Sequence, residues 1–131
     1  MLKTDGIPMW VTIFALIVFA LDCALRLMAM IGQGMEGMDP SMNVSWGGRH
    51  LGLGLAAGVA VFLKSPTAYI AAFVGGVGRD VGDLIGHLGK SETEIGVIVG
   101  IAVFLVAGIL GIMVATKVRS ARFRVPQIAA S

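Results

Sequence analysis

The chain reads as an all-α membrane protein, a bundle of four transmembrane helices joined by short loops. Composition points there first: hydrophobic residues make up 56% of the 131 and charged residues only 14%, far from the balance of a water-soluble domain. Mean hydropathy is +0.89. Four apolar runs also approach the roughly 20 residues needed to cross about 30 Å of hydrocarbon. The connections between them leave no room for another unit, so residues 1–131 are expected to form one four-helix transmembrane domain.

The first span, about 8–31, ends near Ala20-Leu21-Asp22-Cys23. A bulky leucine and an aspartate stand where a signal or lipoprotein cleavage site requires small residues, so this segment is expected to remain a helix. Cys23 is the single cysteine and fits a small packing residue of that helix better than a redox group. The second span, about 42–63, follows Asp39-Pro40, a helix start with a carboxylate cap and a proline at the first position. The helix is therefore free to begin ahead of its apolar part. The third span covers about 66–88 and the fourth about 94–116, with a basic C-terminal tail at 117–131.

Lys3, Lys64, Lys117, Arg119, Arg122 and Arg124 fall on one side of such a bundle, whereas Glu36, Asp39, Glu92 and Glu94 fall on the other with Lys90. The bias of cations toward the cytoplasm predicts a multi-pass protein of the cytoplasmic (inner) membrane with both termini cytoplasmic. The lipid bilayer is its first partner. The basic tail suits a topology anchor attracted to anionic lipid, and no nucleic-acid partner is expected.

The third span contains FVGGVGRDVGDLIGHLGK, residues 73 to 90. At about 100° per residue, Gly75, Gly78, Gly82, Gly86 and Gly89 form a narrow stripe expected to pack, while Val77, Val81, Leu84, Ile85 and Leu88 form an edge expected to meet lipid. Arg79, Asp80, Asp83 and His87 occupy the remaining arc. Glycines at four-residue spacing let helix backbones approach in lipid, and the same device recurs in Gly48-xxx-Gly52, Gly54-xxx-Gly58 and Gly96-xxx-Gly100. GVGRDVG is not a nucleotide loop, because a helix contains it and no strand precedes it.

With alternating spans, Asp22, Arg26, Asn43, Trp46, Arg49, His50, Arg79, Asp80, Asp83 and His87 all fall in the outer half of the bundle. An ionised side chain near the bilayer centre costs roughly 2.5–3.5 kcal/mol on insertion scales. These groups are therefore expected to face one another or a water-filled cavity. Asp22, Asp80 and Asp83 balance Arg26, Arg49 and Arg79, with His50 and His87 able to titrate. Asp22 and Arg26 have the favoured acid-first order at i, i+4; Arg79 and Asp83 have the reverse order and suit pairing across helices. Such a cluster either fixes helix register as an ion-pair network or lines a pocket for a small amphipathic or lipophilic molecule. In the second case Asp83 and His87 are the acid-base candidates and Arg79 orients or polarises the bound oxygen; Asp22, Arg26, Trp46, Arg49, His50 and Asp80 are the candidate ligand-binding residues. Whether the chain is an enzyme stays open at this point.

Met28, Met30, Met35, Met38 and Met42 crowd the end of the first span and the loop after it. Thioethers suit Cu(I), yet a methionine-bearing glycine-rich loop is equally an adaptable cap over the bundle mouth, with Trp46 as interfacial anchor. No metal site is assigned, no haem-attachment pattern occurs, and no cofactor is singled out.

GGRHLGLGLAAGVAVFLKSPTAYIAAFVGGVGRDVGDLIGHLGKS, residues 47 to 91, resembles the middle of small four-helix membrane proteins of the DoxX-like group. The resemblance touches Arg49, Gly52, Gly54, Arg79, Asp80, Gly82 and Asp83, and it implies the four-helix fold rather than a particular activity. The competing expectation is an accessory or structural subunit of a larger membrane complex, or a homo-oligomer, docked through glycine-rich helix faces. Transport of a proton or small ion is disfavoured because the inner half offers almost no polar stepping stones, and no inverted repeat marks a carrier.

Overall fold

A computed structural model describes residues 6–30, 40–89 and 94–128, with the side chains at 25–26, 29–30, 40–47 and 123–128 outside that description. The described residues form four helices and no strand: α1 (Met9–Met30), α2 (Pro40–Leu63), α3 (Pro66–Leu88) and α4 (Ile95–Ile128).

Local chemistry sets the ends. The Pro8 carbonyl accepts from the backbone N–H groups of Val11 and Thr12 and opens α1. Lys64 takes a left-handed conformation with φ 50, the geometry that commonly terminates a helix. Pro66 then forces Ser65 into extended backbone, φ −96, and supplies a first residue whose missing N–H is no loss there. Two residues thus reverse the chain between α2 and α3. α4 runs on well past residue 116, through what the sequence reading assigns to a tail. Residues 117–125 contain no proline or glycine to stop a helix, and cations near a helix C-terminus complement its dipole.

α1 packs along α2 and α3 along α4, with α2 joining the two hairpins through α3. Glycines mark the closest approaches. A Cβ on Gly54 would lie 2.9 Å from Asp22 Cβ, one on Gly58 2.8 Å from the Phe19 ring, and one on Gly75 2.7 Å from Leu53. On α4, a Cβ at Gly108 would meet Val77 at 2.9 Å and one at Gly111 the Phe73 ring at 2.6 Å.

The expected packing edge of α3 needs correcting. Gly78, Gly82 and Gly86 have nothing within 4 Å of a Cβ position, and Gly48, Gly52, Gly96 and Gly100 are equally open. Val77, expected at the greasy edge, is half-buried against Gly108. Four-residue spacing defines a helix face but not what lies against it, and α3 meets α4 on the neighbouring edge through Phe73 and Val77.

The buried apolar residues are Ile7, Val11, Ala15, Ala57, Ala60, Tyr69, Ala72, Phe73 and Ala115. They gather at the end of the bundle that holds the start of α1 and the α2–α3 turn. Phe14 bridges three helices, its ring 5.5 Å from Phe73 and 5.7 Å from Phe104. Within this apolar half, Thr12 and Tyr69 share a buried hydrogen bond of 3.2 Å. The remaining buried polar residues, Asp22, His50 and Asp80, lie toward the other end.

Among the described residues, Ile95–Arg122 of α4 is long and apolar enough to cross a membrane. Its most apolar 18-residue window has a mean hydropathy of 3.0 and only 11% of that window is buried. Met9–Ala24 and Gly48–Leu63 are apolar but shorter.

Candidate functional site

Helical spacing delivers three polar groups to one point. Val11, Ala15 and Asp22 lie on a single stripe of α1, and His50 and Ala57 on a single stripe of α2, because steps of four and seven residues return to nearly the same angle. Burial of the apolar members carries Asp22 and His50 inward. On α3 the face that buries Tyr69, Ala72 and Phe73 continues through Arg79, Asp80, Asp83 and His87. Gly54 lets α2 approach α1 beside Asp22.

Arg79 is the hub. Its Nε and Nη2 donate to Oδ1 of Asp80 at 2.9 and 2.7 Å, and its Nη1 donates to Oδ2 of Asp22 at 2.5 Å. His50 Nδ1 stands 3.4 Å from the same Nη1 and 3.9 Å from Oδ1 of Asp22. Asp22, His50 and Asp80 are buried, with 7%, 3% and 6% of their surface exposed. One guanidinium therefore ties two buried carboxylates from different helices, with an imidazole from a third beside it. Guanidinium suits this role, since it stays charged and donates from a rigid plane in several directions.

Beside the hub lies a cleft of about 210 Å³ between α1, α3 and α4. Its polar side consists of Asp22, Arg79, Asp80 and Asp83, and its apolar walls are Val18, Leu21, Ile101 and Phe104, with Gly100 at the edge. A smaller void of about 20 Å³ runs from Arg79 and Asp80 toward Phe14, Phe73 and Phe104, room for about one water. α1 and α4 approach one another far less closely than α1 does α2 or α3 does α4, and the Phe14–Phe104 ring pair connects them.

Of the sequence-predicted residues, Asp22, His50, Arg79 and Asp80 come together in one network, and Asp83 lines the adjoining cleft, half-buried. Arg79 reaches across helices to Asp22 and sideways to Asp80, rather than to Asp83 four residues on. His87 is half-buried further along α3 and does not line the cleft. Arg49 corrects the expected set: it is exposed, because its neighbour His50 takes the inward position and adjacent helical residues point about 100° apart. Arg26, Asn43 and Trp46 have side chains outside the described residues, as do Met30, Met35, Met38 and Met42. Among the described residues no group of three His, Cys, Asp or Glu side chains is placed to hold a metal ion.

Sequence reasoning missed the cleft walls. Val18, Leu21, Ile101 and Phe104 look like every other apolar residue of their helices, and only the arrangement of α1 against α4 distinguishes them. It also missed the Thr12–Tyr69 pair. A signal for that existed: the single tyrosine in so apolar a chain needs a partner for its hydroxyl once buried. Comparison of the chain with models of known protein families, with curated proteins and with solved structures gives no match. The functional reading is carried by the geometry of the site.

Proposed function

We propose that the chain is a multi-pass protein of the cytoplasmic membrane whose cleft binds a small amphipathic or lipophilic molecule. The observation that carries this reading is the make-up of the cleft: a charged floor held rigidly by Arg79 beneath walls of Val18, Leu21, Ile101 and Phe104. A few convergent polar groups in an otherwise apolar concavity are the usual form of a small-molecule site. Intramembrane ionisable residues mark such sites by default.

The bilayer reading is supported by the outer surface of the helices. An 18-residue window of α4 combines a mean hydropathy of 3.0 with 11% burial, whereas a core helix of a water-soluble protein with that composition is mostly covered. Phe62, Ile13, Ile17, Val59, Val103 and Leu110 are exposed around the bundle, and each large apolar side chain left in water forgoes about 1.5–3 kcal/mol. On this reading all four helices span, both termini are cytoplasmic, and the charged network lies in the outer half. Membership of the DoxX-like group belongs to the same proposal, since the resemblance includes Arg79, Asp80 and Asp83 of the cleft floor.

Within the cleft, Asp22 and Asp80 hold Arg79 in place and Asp83 is the carboxylate best placed to meet a bound molecule, as counter-ion or as acid-base group. Purification in mild detergent followed by native mass spectrometry and lipid extraction tests this. A small molecule that copurifies with the wild type and is depleted from a folded Asp83→Asn variant supports it; a molecule retained equally by both contradicts it.

A second reading, an accessory subunit or homo-oligomer, is favoured by one observation: the Gly78, Gly82 and Gly86 face is open to helix docking. It predicts a stable assembly in mild detergent that Gly82→Leu disrupts.

A further inference from the structure

We infer that the ligand of this cleft is a cationic amphiphile, an amine or quaternary ammonium on an apolar tail, with Asp83 as its counter-ion. The inference rests on the reading of the cleft as a ligand site and names what that site selects.

Charge makes the selection. Among the described residues, α1 contributes Asp22 to the cleft, α3 contributes Arg79, Asp80 and Asp83, and α4 contributes no charge. Three carboxylates thus face one guanidinium. That guanidinium is already engaged, with Nε and Nη2 on Asp80 and Nη1 on Asp22. An anionic headgroup would bring a further negative charge to a guanidinium that two buried carboxylates already over-balance. His50 lies behind the network, 3.9 Å from Asp22, and is not part of the cleft lining; even protonated, it leaves carboxylates in excess. Among the described residues the one cation of the cleft, Arg79, is paired with Asp22 and Asp80, so a neutral molecule leaves Asp83 without a counter-charge of its own. A cation removes that mismatch, and Phe104 offers it an aromatic surface as well.

Size and access define the rest of the molecule. About 210 Å³ accommodates a small ammonium head and the first part of a chain, so the remaining tail must leave the cleft. Leu21, on the α1 side of the cleft opposite Ile101 of α4, is exposed at the outer surface of the bundle and marks a way out. A ligand already dissolved among acyl chains can enter sideways with its charged end first.

The test uses the full chain in nanodiscs of phosphatidylcholine, titrated calorimetrically with decyltrimethylammonium, decanoate and decanol, three probes of one tail length. The expected result is saturable binding of the ammonium, at least roughly tenfold tighter than either other probe. Asp83→Asn should weaken it by a similar factor and Asp83→Glu should retain it, with helicity unchanged in both. Gly100→Leu fills the cleft from a position with open space around it and should abolish binding. Decanol or decanoate binding as tightly as the ammonium, and lost in Gly100→Leu, overturns the cationic class while leaving the cleft as a site. Ammonium binding indifferent to Asp83→Asn overturns the counter-ion role and with it this inference. Absence of saturable binding by all three probes removes the ligand-site reading itself.

Discussion

Arg79 carries more of this protein's architecture than any other side chain, because it joins α3 to α1 through Asp22 while holding Asp80 of its own helix. Removing one partner of a buried ion pair leaves a charge without compensation, which costs about 3–5 kcal/mol in well-buried cases. Arg79→Ala is therefore expected to destabilise the fold by about 3 kcal/mol, since the arginine keeps 16% of its side chain exposed. Arg79→Lys should recover only part of that loss, because an ammonium cannot donate from a plane to both carboxylates. Both are read from unfolding titrations followed by circular dichroism. Tyr69→Phe should cost about 1 kcal/mol in the same assay, as it deprives the buried Thr12 hydroxyl of its partner. At this scale the polar members of the site were legible, since charges inside apolar runs identify themselves. Which of two adjacent polar residues turns inward was not: Arg49 and His50 differ only by the rotation that the burial of Ala57 imposes on α2.

Among the helices, the glycines separate into those that are filled and those that are open. At Gly54 a Cβ would press on Asp22 Cβ and on the Cys23 backbone nitrogen at 3.3 Å, atoms near the main chain that cannot swing aside. Gly54→Ala is expected to lower stability by about 1–3 kcal/mol through overpacking and to loosen the charged network with it. Gly82→Ala meets nothing and should stabilise the isolated bundle by about 0.5–1 kcal/mol, the usual gain at an open helical position. Opposite signs from two such similar substitutions, measured side by side, check the helix contacts directly. The α2–α3 turn gives another test: Lys64 sits in a left-handed conformation that disfavours side chains by about 1 kcal/mol, so Lys64→Gly should raise the melting temperature and Lys64→Val lower it. Helix starts were readable from Pro40 and Pro66, whose chemistry acts locally. The continuation of α4 through 117–128 was not, because hydropathy reports where apolar residues end and says nothing of where a helix must stop.

The whole molecule divides along its length into an apolar half, held by Phe14, Tyr69 and Phe73, and a polar half organised around Arg79. That division is visible in the sequence once the helices are taken to alternate in direction, as Asp22, His50, Arg79 and Asp80 then fall at one end, while the Thr12–Tyr69 pair at the other end stays hidden. The cleft was not visible, since its walls depend on how far α1 stands from α4. On the proposed reading, the apolar half supplies cohesion and the polar half supplies selectivity for a bound molecule. Both depend on opposite charges from separate helices meeting inside the bundle. A double-mutant cycle on Asp22→Asn and Arg79→Gln, with unfolding free energies measured for the wild type, the two single variants and the double variant, addresses this contact and nothing else. A coupling between about 1 and 3 kcal/mol, the range for residues in direct contact within one network, is the result predicted here; strictly additive effects would mean that Asp22 and Arg79 do not touch, and the site built on them would be lost.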